Sequence, residues 1–172
     1  IPGFESYEDA IAKQTATPLE ARIEAQPMLY SSGTTGRPKG VKSPFPGVPL
    51  GAGEGLTALI AGLFGGNPDS VYLSPAPLYH AAPLHYNLMV LGLGGTSVIM
   101  EHFDPEQSLA LIEQYQVTHS QWVPIMFVRM LKLDSDTRAK YDVSSLEYVI
   151  HAAAPCPVPT KKLMIEWFGP VI

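Results

Sequence analysis

The 172-residue sequence contains one cysteine, Cys156. No intrachain disulfide can form, so a small disulfide-stapled scaffold is excluded and a reducing compartment, the cytoplasm, is the expectation. Charge is also sparse. Only 16% of residues are charged, and 16 acidic against 11 basic residues leave a net charge of −5. Binding to a nucleic-acid backbone requires a basic footprint, which this balance does not supply. No basic region followed by an apolar run marks the start, Ile1-Pro2-Gly3, as a secretory leader. Residues 71–100 lack Asp, Glu, Lys and Arg altogether. Pro75, Pro77, Pro83, Gly92, Gly94 and Gly95 cut that stretch into pieces too short to span a bilayer, so it reads as buried core. An initiating methionine is missing, and the apolar run Pro170-Val171-Ile172 resembles the opening of a strand. The expectation is a piece of a longer protein.

What is present points to a well-buried α/β domain. Hydrophobic residues make up 46% of the chain, enough for one full core, and 15 glycines with 17 prolines predict short elements joined by tight turns. Ser6 and Asp9 predict a short capped helix over 7–13, followed by a polar connector over 15–26. Strands are expected at 28–30, 71–73, 96–100, 117–123 and 146–150. Helices are expected at 50–64, 85–91, 105–115, 125–131 and 158–168. Asp104-Pro105-Glu106 is the clearest local signal: an N-cap, a proline at the first helical position and an acid in the first turn. Residues 134–142 read as a solvated helix or loop. Alternating strands and helices argue for a largely parallel sheet. Ligands of such sheets sit beyond the carboxyl ends of the strands. The segments 31–39, 74–80 and 151–155 each follow an expected strand, so a shared rim is the natural expectation.

The first of these segments carries the chemistry. It reads Ser31-Ser32-Gly33-Thr34-Thr35-Gly36-Arg37-Pro38-Lys39-Gly40 after an apolar run. Glycines at 33 and 36 permit close backbone approach, four hydroxyls can donate, and successive N–H groups in such a turn can form an anion-binding nest. Lys39 adds a mobile positive charge behind the stiffening Pro38. The combination suits a polyphosphate. It is not a Walker A loop, because the position five after Gly33 is Pro38 and Lys39 is followed by glycine. No G-x-G-x-x-G fingerprint supports a dinucleotide site either.

The ten residues from Ser31 to Gly40 resemble the phosphate loop of the adenylate-forming superfamily, which includes acyl-CoA synthetases, coumarate ligases, luciferases and peptide-synthetase adenylation domains. Pro77-Leu-Tyr-His80, Phe103-Asp104, Val117-Thr118, Val123-Pro124 and Ala152-Ala153-Ala154-Pro155 follow in the order seen in acyl-CoA synthetases. His80 stands where the peptide-synthetase domains usually have Phe-Asp, which favours the CoA-ligase branch. The resemblance runs from about Met28 onward and implies part of the large N-terminal domain of such an enzyme. It implies activation of a carboxylic acid, a fatty acid being the expectation, by ATP with Mg²⁺, followed by transfer to coenzyme A. Lys39 and His80 would then be the catalytic pair, with His80 beside the acyl carboxylate. Ser31, Ser32, Gly33, Thr34, Thr35, Gly36 and Lys39 would grip phosphate, and Ala152, Ala153, Ala154 and Pro155 would line the adenine pocket. The family's Mg²⁺-binding acid, its ribose-binding aspartate and its C-terminal domain with the adenylation lysine would all lie beyond Ile172. This stretch alone is therefore expected to be inactive. Phosphate or nucleotide binding without turnover, and adenylation for an acceptor other than coenzyme A, are the alternatives.

The remaining candidates have plainer readings. His85 lies about 140° around a helix from His80, so the two form no same-face metal pair. Cys156 reads as a packed, inert thiol. Asp134-x-Asp136 lacks the glycine and the terminal acid of a calcium loop. Tyr86, Leu88, Met89, Trp122 and Met126 fit either an acyl pocket or ordinary core, the latter fitting their spacing better.

Overall fold

The structure, a computed structural model, describes residues 3–20, 22–25, 27–31, 36–45, 47–50, 52 and 56–172, with the backbone alone at 56, 57, 59 and 60. The chain forms two compact units, the first ending at Ala52 and the second holding the remainder.

In the first unit, Ser6 caps the short helix α1 (Tyr7–Ile11) by accepting from the Asp9 N–H at 3.3 Å. Strand β1 (Leu29–Ser31) pairs antiparallel with β2 (Lys39–Val41), in the register Leu29↔Val41, Tyr30↔Gly40 and Ser31↔Lys39. This corrects one expectation. Segment 31–39 does follow a strand, but that strand closes a hairpin and takes no part in the parallel sheet. The connector also acquires a partner: the Glu24 N–H donates to the Val48 carbonyl and the Leu50 N–H to that of Arg22, both at 2.8 Å.

The second unit is a four-stranded parallel sheet in the order β4-β3-β5-β6, with β3 at Val71–Ser74, β4 at Thr96–Ile99, β5 at His119–Trp122 and β6 at Tyr148–His151. The helices are α2 (Leu56–Phe64), α3 (Ala81–Gly92), α4 (Pro105–Tyr115), α5 (Pro124–Leu131), α6 (Ser135–Ala139) and α7 (Val158–Phe168). Helix α2 starts later than periodicity suggested. Leu50 is not helical, its N–H being committed to the Arg22 carbonyl, and residues 51 and 53–55 lie outside the described residues. Helix α3 begins a turn earlier than expected. Pro83 is tolerated because N–H groups in the first turn have no helical acceptor to lose. Pro124 closes the extended segment, as expected, and also opens α5 at its first turn.

Strand alternation divides the sheet into two environments. Leu73 and Trp122 point into the main core, where Leu109 and Ile112 of α4, Phe127 and Met130 of α5, and Met164 and Phe168 of α7 pack together. On the other face, under α3, Tyr72 stacks on Tyr86 at 5.8 Å, and Asn87 Nδ2 donates to Ser74 Oγ at 2.8 Å. That face is the more polar one. It also holds His119, whose ring nitrogens lie 2.7 Å from Thr118 Oγ1 and 2.7 Å from the Phe64 carbonyl, tying the end of α2 to β5.

Helix α4 has the cap its sequence predicts, Asp104 accepting from the Gln107 N–H at 2.8 Å, and it ends on Gln116 with a left-handed φ of 50°. Asp134, far from forming a calcium loop, caps α6 by accepting from the N–H and hydroxyl of Thr137 at 2.8 and 2.9 Å. Those bonds hold its carboxyl below the usual range. Trp122, Met126 and Met89 are buried, the first two in the main core, while Leu88 is half exposed. Cys156 is half-buried and packs against that core.

Candidate functional site

The chain passes from β3 to β4 on one side and then returns past β3 to reach β5. The order therefore reverses between β3 and β5, the point where open α/β sheets leave a crevice beyond their strand ends. A cavity of about 380 Å³ occupies that position. Ala76, two residues past β3, forms one wall, and the first turn of α3, from His80 to Pro83, forms another. Gln121 and Val123 close it from the end of β5, and Ala153 reaches it from the loop after β6. Its lining is apolar apart from His80 and Gln121.

His80 is exposed and stands at the N-cap of α3, with φ −87° and ψ 147°. Its N–H donates to the Pro77 carbonyl at 3.1 Å, and its own carbonyl accepts from Leu84 at 3.2 Å. The backbone is therefore fixed at both ends, while the imidazole makes no capping bond and lies 4.5 Å from the Tyr79 ring. Ala152 is held by its N–H to the Trp122 carbonyl at 3.1 Å, which continues the β5–β6 ladder by one rung. Ala153 then turns left-handed at φ 71°. An alanine rarely adopts that conformation, which costs about 1–2 kcal/mol. Ala154 and Pro155 are exposed beyond it. Two of the segments expected to meet do so: His80 and Ala153 line the same cavity.

Of the residues expected to grip phosphate, the described ones, Ser31, Gly36 and Lys39, stand in the first unit. Ser31 ends β1, Lys39 begins β2, and both are exposed. Gly36 has φ +78°, a conformation that requires glycine, and open space surrounds the position where a Cβ would sit. Ser32, Gly33, Thr34 and Thr35 lie outside the described residues. Among the described residues, no group of three His, Cys, Asp or Glu side chains gathers in a way that could hold a metal ion.

Gln121 escaped the sequence reading. The signal was available: strands buried on both faces in parallel sheets run almost wholly apolar, yet β5 reads His-Ser-Gln-Trp and is fully buried.

A family model described as AMP-binding enzyme matches residues 7–172. The chain belongs to the AMP-binding enzyme family. Among curated relatives, it is 36% identical over 146 residues to 4-coumarate–CoA ligase 5 of Oryza sativa subsp. japonica, a match covering 80% of this chain and 25% of that protein. It is 37% identical over 143 residues to acyl-CoA synthetase 7 of Caenorhabditis elegans, covering 77% and 25%. Among solved structures, ATP-bound MatB from Rhodopseudomonas palustris superposes with a TM-score of 0.71 at 25% identity, covering 96% of this chain and 32% of that one. The chain thus spans about a quarter of the length of the curated relatives it matches. Membership in the AMP-binding family agrees with the mixed α/β architecture and its four-stranded parallel sheet. No helix among the described residues is long and apolar enough to cross a membrane.

Proposed function

We propose that this chain is the central part of the N-terminal domain of an ATP-dependent CoA ligase. That enzyme converts a carboxylic acid to an acyl-adenylate and pyrophosphate, then passes the acyl group to coenzyme A. The observation that carries the reading is the family match joined to the cavity at the sheet's reversal point, whose walls contain His80 and Ala153.

A carboxylate with a pKa of about 4–5 is already ionised at neutral pH, so the nucleophile needs no general base. The work left to the protein is to bring two anions into line and to stabilise the departing pyrophosphate. Lys39 and the backbone and hydroxyl donors around Ser31 and Gly36 suit the second task. His80, with a fixed backbone and a ring free of capping bonds, suits the first by donating to the acyl carboxylate or the adenylate. Ala152 and Ala153 leave room for the flat adenine against the backbone. Mg²⁺ would shield the triphosphate, but the described side chains do not form a site for it, and no step here depends on one. Curated relatives include a coumarate ligase and an acyl-CoA synthetase, so both aryl and aliphatic acids are candidate substrates; a fatty acid is one member of that range.

ATP–pyrophosphate exchange by the complete enzyme across a panel of carboxylic acids tests this reading. Exchange dependent on one class of acid is the expected result. In that enzyme, Lys39→Ala costs about 3 kcal/mol in adenylation, roughly a hundredfold. Unchanged exchange in the variant would remove Lys39 from the role. The 172-residue chain alone is expected to form no adenylate.

A further inference from the structure

Gln121 is 1% exposed, yet it forms part of the wall of the cavity beside His80. Its Nε2 donates to the Trp122 carbonyl at 3.1 Å. A carbonyl only accepts, so this bond fixes which end of the amide faces the backbone. The other end, Oε1, has no hydrogen-bond partner. Nearly all buried polar atoms are satisfied by protein, water or ligand, and one that is not asks for an explanation. Among the described residues, Gln121 unites three features: near-complete burial, an unpaired acceptor and a place in the cavity wall.

The surroundings do not supply the missing donor. Ser74 lies one position beyond the Leu73↔Ser120 pair, beside Gln121 in the adjacent strand; its Oγ accepts from Asn87 Nδ2 at 2.8 Å, and its hydroxyl makes no bond to Oε1. The amide of Asn87 is further committed to the Pro83 carbonyl at 2.8 Å. Of the remaining walls, Ala76, Ala81, Ala82, Pro83, Val123 and Ala153 carry no side-chain donor, and the imidazole of His80 makes no bond to Oε1.

We infer that Gln121 selects the acid: the cavity accepts acyl groups bearing a hydrogen-bond donor, a hydroxyl in the simplest case, which bonds to Gln121 Oε1. This rests on the reading of the cavity as the acyl site of a CoA ligase. Physical chemistry makes the inference discriminating. A plainly apolar pocket favours the hydrocarbon member of a matched pair, because burying an unpaired hydroxyl is costly. A pocket holding a buried unpaired acceptor reverses that order, since the hydrocarbon leaves the acceptor orphaned.

The test compares ω-hydroxyalkanoates with their parent alkanoates, and hydroxyaryl acids with their unsubstituted parents, as substrates of the complete enzyme in ATP–pyrophosphate exchange. In at least one pair the hydroxy acid is expected to win by about tenfold or more in kcat/KM. Gln121→Leu abolishes or inverts that preference. Should the Leu variant fail to fold, Gln121→Met keeps the chain length and serves in its place. Equal treatment of every pair, or a preference that survives in the variant, overturns the inference and assigns the Oε1 partner to an ordered water. Calorimetry of the same pairs without ATP separates acid selection from ligase activity. If no acid supports exchange, the ligase reading fails, while tighter binding of the hydroxy acid that Gln121→Leu removes still upholds the selecting role of Gln121.

Discussion

Ser31 and Lys39 stand opposite each other on one antiparallel rung, the last of β1 and the first of β2. Directly opposed residues project to the same side of a strand pair. A hydroxyl and an ammonium are thereby carried on the same side of the strand pair. The pairing holds the Lys39 backbone in the strand pair while its side chain is exposed.

Within that loop, Gly36→Ala isolates backbone strain from crowding. Nothing lies within 4 Å of the added methyl, but φ of +78° is unfavourable for alanine by about 1–2 kcal/mol. The expected outcome is a loss of pyrophosphate exchange in the complete enzyme, by several-fold to about twentyfold, with the melting temperature of the parallel-sheet unit unchanged. Wild-type exchange would show that the left-handed turn is not needed for phosphate binding.

Gly95 makes the opposite case. A Cβ there would meet the Ser70 carbonyl at 2.7 Å and Val90 Cγ1 at 2.9 Å. Backbone lies on one side and a β-branched side chain on the other, and neither yields easily. Gly95→Ala should destabilise the domain by about 1–3 kcal/mol in urea unfolding. An unchanged midpoint would mean that the β3–β4 contact relaxes more readily than its geometry implies.

At Ala153 two effects compete. Glycine would relieve the left-handed strain of about 1–2 kcal/mol but would raise unfolded-state entropy by about 0.4–1 kcal/mol. Strain relief outweighs the entropy. Ala153→Gly should therefore be neutral to stabilising by about 0.5 kcal/mol, and it should widen the cavity beside His80. Clear destabilisation in chemical denaturation would contradict this.

His151 sets a pH dependence. Burial, aided by the positive charge of Lys161, holds its pKa below the ordinary value of 6.5. The unfolded chain then binds more protons than the folded one between the two values, so stability rises with pH across that window. Followed downward in pH, stability begins to fall at the unfolded value and stops falling below the folded one. An NMR titration of the imidazole should give a midpoint below that of the unfolded chain, and Lys161→Ala should move it upward. A midpoint at or above the unfolded value would refute the assignment.

The elements that were readable in advance are those whose signals are local. Asp104-Pro105-Glu106 started α4 where its caps said it would, because an N-cap, a fixed proline φ and a first-turn acid act within one turn of chain. Helix α7 likewise ran from Val158 to Phe168 as expected, with Gly169 closing it at φ 87°.

Three features depended on contacts that no local pattern encodes. A strand was expected at 28–30 and β1 lies at 29–31, but its partner, β2, was not foreseen, since pairing is decided by which distant backbone satisfies the exposed donors and acceptors. The meeting of His80 with Ala153 followed from the strand order, which reverses between β3 and β5. Gln121 gained its meaning only through burial, because the same amide exposed to water would have no unpaired oxygen. The α/β class and the capped helix boundaries are written in neighbouring residues and need no partner to be read. Strand pairing, the opening of the cavity and the polar atom inside it that lacks a partner come into being only on folding, because each is a relation between segments far apart in the chain.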